Sequence, residues 1–173
     1  SGTIEGGTFN TPITGSGTEN DPYQISTTAQ LKRFRNIVNG TGGQTQNRGA
    51  CAVLMNDIVL NDGTFDANGT YTPGSSSKAA EEWTPIGKYT DDNDKTPYTG
   101  TFDGQGHTIK GLYVNSASDK AYVGLFGCLE GAAVRNLTVD GYVQGSNVVG
   151  GIAGYASNAA IENCSNHCSV TGS

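Results

Sequence analysis

With 173 residues the chain has room for one domain, and 26 glycines with only 15% charged residues set it apart from disordered chains and from ordinary helical proteins. A formal charge of −6 and a pI near 4.7 exclude a nucleic-acid partner, whose phosphates require a basic surface, and disfavour an anionic membrane surface. No apolar run approaches the roughly 18 residues of a membrane span, the first residues do not make a signal peptide, and the spacing of the cysteines fits no disulfide framework.

Residues 1–23 are polar, rich in Gly and Thr, and punctuated by Pro12 and Pro22, which predicts an extended lead-in. A helix follows. Thr27 is placed as its N-cap with Gln30 three residues on, Leu31, Phe34, Ile37 and Val38 share one apolar face, and Gly40 stands where a C-cap belongs. Lys32, Arg33 and Arg35 lie off that face and are expected to be solvated, while the helix covers the open edge of whatever is stacked behind it. Residues 1–49 are therefore assigned to a lead-in and capping helix, and residues 50–173 to the body. Val53, Met55 and Ile58 mark the first strands. Residues 61–82 form a surface excursion, Trp83 to Gly87 return an apolar anchor to the core, and Tyr89 to Pro97 leave again as an acidic loop. Asp91-Asp-Asn-Asp94 has the look of a calcium loop, but Lys95 occupies the next ligand place and no Gly follows, so a polar loop is expected.

The last third repeats itself. An offset of 27 lays Gly124-Leu-Phe-Gly127 on Gly151-Ile-Ala-Gly154, Val134 on Ile161, Asn136 on Asn163, Val143 on Val170 and Gly145-Ser146 on Gly172-Ser173. An offset of 25 aligns Ile109-Lys-Gly-Leu-Tyr-Val114 with Val134-Arg-Asn-Leu-Thr-Val139. On this alignment Ile109, Val134 and Ile161 point inward, with Leu112, Leu137 and Cys164 completing the apolar columns, while Lys110, Arg135 and Glu162 point out. Such a period predicts an all-β solenoid, a parallel β-helix of roughly five turns and about 24 Å in length at the spacing of stacked strands.

Gly124-Leu-Phe-Gly127 and Gly151-Ile-Ala-Gly154 resemble the GLUG motif of bacterial surface-protein repeats. Gly17-Thr-Glu-Asn-Asp-Pro-Tyr-Gln-Ile25, Trp83-Thr-Pro-Ile-Gly87 and Phe102-Asp-Gly-Gln-Gly-His107 are similar to the segment that commonly precedes such repeats, and Asn163-Cys164 matches the usual Asn-Cys pair. Cys168 departs from the pattern, which more often has a small residue there. The resemblance implies a right-handed, pectate-lyase-like β-helix in a secreted or surface-anchored bacterial protein, adhesin-like or a non-catalytic part of an IgA-protease-type protein. It supplies no catalytic residues.

Several constellations invite chemistry. Cys164, His167 and Cys168 suggest a metal site, yet Cys164 is aligned inward with Leu137 and His167 outward with Asp140, so they are expected not to converge. In an extended strand Cys164 and Cys168 lie about 13 Å apart, too far for a disulfide unless a bend brings them together. Asp103 and His107 read as partners in a Gly-rich turn, and Asn136 with Asn163 as stacked amides. A polysaccharide-cleaving enzyme would draw on Lys110, Arg135, Asp140, Glu162 and His167. Arg135 stands beside Glu162 and Asp140 beside His167, so neither column stacks an acid on a base, and no catalytic residue, metal or cofactor is assigned. Tyr113, Tyr122, Tyr142 and Tyr155, with Arg135, Glu162 and His167, are the candidate ligand-binding residues, although Tyr113 aligns with Thr138 and Ser165 and no aromatic stripe is predicted. Asn39-Gly-Thr, Asn68-Gly-Thr, Asn136-Leu-Thr and Asn163-Cys-Ser fit the glycosylation pattern and are discounted for a bacterial protein. The expected role is a stalk or adhesive module at the cell surface, whose partner is a host or matrix glycan or protein. Further turns or another domain are expected after Ser173, because a bare final strand is a pairing liability.

Overall fold

The computed structural model describes residues 11–116 and 122–172; the first ten residues of the lead-in and Ser173 lie outside the described residues. The described residues wind as a parallel β-solenoid of about five turns with one helix. The first turn holds β1 (Tyr23–Ile25) and α1 (Thr28–Asn39). The second holds β2 (Ala52–Leu54) and β3 (Ile58–Val59), then two antiparallel hairpins, β4 (Thr64–Phe65) with β5 (Tyr71–Thr72) and β6 (Lys88–Asp91) with β7 (Asp94–Thr96). β8 (Thr101–Asp103), β9 (Thr108–Ser116), β10 (Tyr122–Val123) and β11 (Phe126–Glu130) make the third turn. β12 (Ala133–Arg135), β13 (Thr138–Gly145), β14 (Val148–Val149) and β15 (Ala153–Ser157) make the fourth, and β16 (Ala160–Glu162), β17 (Ser165–Asn166) and β18 (Ser169–Gly172) the fifth.

Stacking these turns builds three walls. The first wall is β1-β2-β8-β12-β16, the second β3-β9-β13 with β17 and β18, and the third β11-β15, extended by single bridges from Ile86 to Phe126 and from Tyr98 to Leu129. The stack thus begins at β1, ahead of the helix, rather than at Ala50: Tyr23 and Ile25 pair with Ala52 and Leu54. Side chains alternate along each strand, so that Ala52, Phe102 and Val134 fill one buried column and Ile58, Ile109 and Val139 another.

The offset of 27 holds from the fourth turn to the fifth, with Ala133 on Ala160 and Thr138 on Ser165. The offset of 25 does not hold. Phe102 lies beneath Val134, and Ile109 lies beneath Val139 in a different wall. The two walls keep different offsets, 32 and 30, because the corners differ by two residues. The third turn passes from first to second wall through Gly104-Gln-Gly-His107, whereas the fourth needs only Asn136-Leu137. Aligning the two strands as text therefore slid a second-wall strand onto a first-wall one.

The motif glycines sit where adjacent turns touch. A Cβ on Gly124 would stand 2.4 Å from the Gly150 carbonyl oxygen, and one on Gly127 2.5 Å from that of Gly87. Between them Leu125 and Phe126 are fully buried, which explains the Gly-Leu-Phe-Gly order: apolar anchors flanked by residues without side chains.

α1 has the predicted caps: Thr27 and Gln30 form a capping box, and Gly40 closes the helix in the left-handed region at φ 68°. Its apolar face closes the stack, with Leu31, Phe34 and Val38 fully buried. Phe34 joins a knot of four rings, 5.7 Å from Phe102 and 6.0 Å from Tyr98, while Phe126 lies 5.5 Å from Phe102 and 5.4 Å from Tyr98. The basic residues are not solvated as expected. Arg33 donates to the Thr11 carbonyl, Lys32 pairs with Glu81 at 2.6 Å, and Arg35 lies 4.7 Å over the Trp83 ring. The lead-in and the residue 61–82 excursion fold back over this helix face, and the three cations fasten them there.

Candidate functional site

On the outer face of the first wall, Arg135 sits in register between Asp103 and Glu162. Its described ion pair is with Asp103, whose Oδ2 accepts from Nε at 3.1 Å, and not with Glu162. Asp103 Oδ1 also accepts from the Gln105 N–H at 2.9 Å and from Asn136 Nδ2 at 3.1 Å; Asn136 Oδ1 accepts in turn from Asn163 Nδ2 at 2.8 Å. The predicted Asn stack is therefore a ladder of three turns, based on a carboxylate. Partial burial pushes the Asp103 carboxyl up, but the bonds from Gln105, Asn136 and Arg135 outweigh it and hold the group below the usual carboxylate range.

His107 bonds not to Asp103 but to Asp57 one turn earlier, Nδ1 to Oδ1 at 3.3 Å, where the Thr108 N–H also donates at 2.9 Å. Exposed His167 follows β17 and its backbone N–H donates to the Val139 carbonyl on the second wall, whereas Arg135 and Glu162 lie on the first. Cys51 and Cys128 are buried, Cys164 and Cys168 half-buried, and all four are free thiols. Burial, reinforced by Asp140, pushes Cys168 up to about 12. Among the described residues no three His, Cys, Asp or Glu side chains come together in a metal-binding group.

The tyrosines fall into two clusters. Contrary to the expected alignment, Tyr113 pairs in register with Tyr142 on the second wall. The β4–β5 hairpin covers both: Phe65 stacks on Tyr113 at 5.0 Å and 17°, and on Tyr142 at 6.3 Å and 23°. Tyr142 is buried beneath it and Tyr113 half-buried, and both rings pack against the hairpin.

Tyr122 and Tyr155 belong to the other cluster, together with Tyr89, a residue that sequence reasoning missed. Tyr89 and Tyr122 meet edge to face at 4.4 Å and 70°, Tyr122 and Tyr155 at 5.6 Å and 80°, and Tyr155 is 41% exposed. The Tyr89 hydroxyl donates to Asp92 Oδ1 at 2.5 Å, which with burial pushes the phenol up to about 12 and fixes the ring. Beside it a cleft of about 220 Å³ opens between the β6–β7 hairpin, the end of α1 and Tyr122, lined also by Thr41, Thr84, Thr90 and Thr96. Asn39 is part of the lining. Its Oδ1 accepts from the Gly87 N–H and its Nδ2 donates to the Pro85 carbonyl, both at 2.9 Å. Only the fold could reveal this cleft, because Tyr89 and Tyr122 are 33 positions apart and meet through the stacking of turns.

The chain is 34% identical over 173 residues to Halomucin of Haloquadratum walsbyi, covering 98% of this chain and 2% of that protein. It is 33% identical over 128 residues to a protein of Evansella cellulosilytica described as a Gly-rich membrane protein, covering 73% of this chain and 12% of the other. Halomucin is archaeal, so the likeness is not confined to bacteria. No family model matches, and no solved structure does.

Proposed function

We propose that this chain is a non-catalytic structural or adhesive module of a secreted or surface-anchored protein, of the GLUG-repeat type. The observation that carries this is the use made of the outward charged residues. Asp103, Arg135, Asn136 and Asn163 bond to one another along the axis and brace successive turns. Asp103 is held deprotonated, the opposite of what a glycosidase acid needs. The two relatives add support, one by its mucin-type name and the other by its description as a membrane protein. Among the described residues no helix is long and apolar enough to cross a membrane. Each relative is much longer than the aligned segment, which suits a module.

The test is to incubate the protein with neutral and acidic polysaccharides and follow new reducing ends and unsaturated products by mass spectrometry. No product above the buffer control is expected. Product that disappears in Arg135→Ala or His167→Ala would replace the module with an enzyme.

A further inference from the structure

We propose that the cleft beside Tyr89 and Tyr122 binds one sugar ring of a neutral glycan. The proposal rests on the module reading and assigns its adhesive contact. Three observations converge on this ligand. The first is size: about 220 Å³ lies below the roughly 300 to 1,000 Å³ of pockets for drug-sized ligands, which leaves room for a single ring.

The second is the division of the lining. The rings of Tyr89 and Tyr122 supply apolar lining, and the threonines Thr84 and Thr96 line the same cleft, with Thr90 bonded to Asp94 at its edge. A pyranose has this dual character, with C–H groups on its faces and hydroxyls around its rim. A wholly apolar ligand would strip water from the threonines and return no hydrogen bond. The aromatic side is held in place, since Tyr89 is locked by Asp92 and by edge contact with Tyr122. Asn39 is a positioning residue whose amide is engaged by the backbone of Pro85 and Gly87, tying the end of α1 to the cleft lining. Exposed Tyr155, 5.6 Å from Tyr122 and 5.9 Å from Tyr89, continues the aromatic surface outward toward a neighbouring sugar of the same chain.

The third is charge. Asp91, Asp92 and Asp94 crown the hairpin against Lys88 and Lys95, a net charge of −1, and the lining cation Lys88 is already paired with Asp94 at 2.5 Å. With a net charge of −6 on the whole chain, the rim repels uronate and sulfate groups and leaves neutral sugars as the matching class.

The experiment is a titration of the isotope-labelled protein with cellohexaose, xylohexaose, mannohexaose and chitohexaose, against a galacturonate oligomer, read by NMR shifts and calorimetry. At least one neutral oligomer is expected to saturate, with shifts centred on Tyr89, Thr96 and Tyr122. Affinity should fall at least tenfold in Tyr122→Ala and Tyr89→Ala and stay within about threefold in Tyr89→Phe, which keeps the ring. Should a variant lose its fold by circular dichroism, the shift map of the unaltered protein decides alone. Absence of saturable shifts with every neutral oligomer, shifts centred elsewhere, or equal binding of the galacturonate would overturn the assignment. If these oligomers neither bind nor are cleaved, the cleft proposal falls and the module stands; if they are cleaved, the module itself falls.

Discussion

Asn136 performs two jobs that a single substitution can separate. Its backbone is in the left-handed region at φ 54°, and its amide links Asp103 to Asn163. Asn136→Gly keeps the conformation and loses the ladder, whereas Asn136→Ala loses both. Denaturant unfolding is expected to show a cost of about 1 kcal/mol for Gly, from the lost hydrogen bonds, and about 2 to 3 kcal/mol for Ala once left-handed strain is added. Equal losses would mean that the left-handed backbone carries no strain, and an Asn136→Gly variant as stable as the unaltered protein would mean that the ladder carries no stability. Asp103 adds a pH dependence of definite sign. Its folded pKa is depressed, so its contribution is complete above the unfolded value of about 3.9 and is lost as pH falls through the lower folded value. Asp57, Asp62, Asp66 and Asp94 are lowered as well, each by a hydrogen bond it accepts, and act in the same direction. The denaturation midpoint should therefore drop as pH falls below about 4, and less steeply in Asp103→Asn. At alkaline pH the expectation concerns Cys168. A thiol pushed up to about 12 holds at pH 8 at least a hundredfold less thiolate than a free cysteine of pKa about 8.5. Its alkylation by iodoacetamide, followed by peptide mass spectrometry, should be slower in that proportion than in the unfolded chain.

At the scale of elements, α1 and the β4–β5 hairpin attach to the solenoid in different ways. Phe34 on the helix is fully buried in a knot with Tyr98 and Phe102, so its loss removes contacts from the first and third turns together. Phe34→Ala should cost about 3 to 5 kcal/mol in global stability. Phe65 on the hairpin is half-buried and stacks on the outside of the second wall. Phe65→Ala should free the hairpin locally, by about 1 to 2 kcal/mol in hydrogen exchange, and leave the walls intact. The helix was legible residue by residue because a capping box and a C-cap glycine act within one turn of backbone. The hairpin's docking was not, since Phe65 and Tyr142 are 77 positions apart and nothing local joins them. The same distance hid the use of Arg33 and Arg35, which looked like a free basic face until the lead-in and Trp83 folded onto it.

For the whole molecule, stacked turns make stability a sum of neighbour contacts. β8, β9, β12 and β13 are paired on both sides, whereas Ile161 and Val170 in the last described turn are each 42% exposed. Hydrogen exchange should be slowest in those four strands and progressively faster toward β16 and β18; uniform protection would show one all-or-none unit instead.

The sequence alone determined the repeating architecture, the capped helix and the Asn stack. Periodicity, capping residues and aligned polar side chains follow from local backbone geometry copied from turn to turn. Tertiary structure decided the register between the third and fourth turns, the partner of Arg135, and the two tyrosine clusters. These depend on corner length and on where the second-turn hairpins land. A corner that differs by two residues changes the offset between turns from one wall to the next, and a hairpin that folds outward chooses its neighbours by packing. Two of the four candidate tyrosines, buried Tyr142 and half-buried Tyr113, thereby stack against Phe65, and the other two join Tyr89 beside an open cleft.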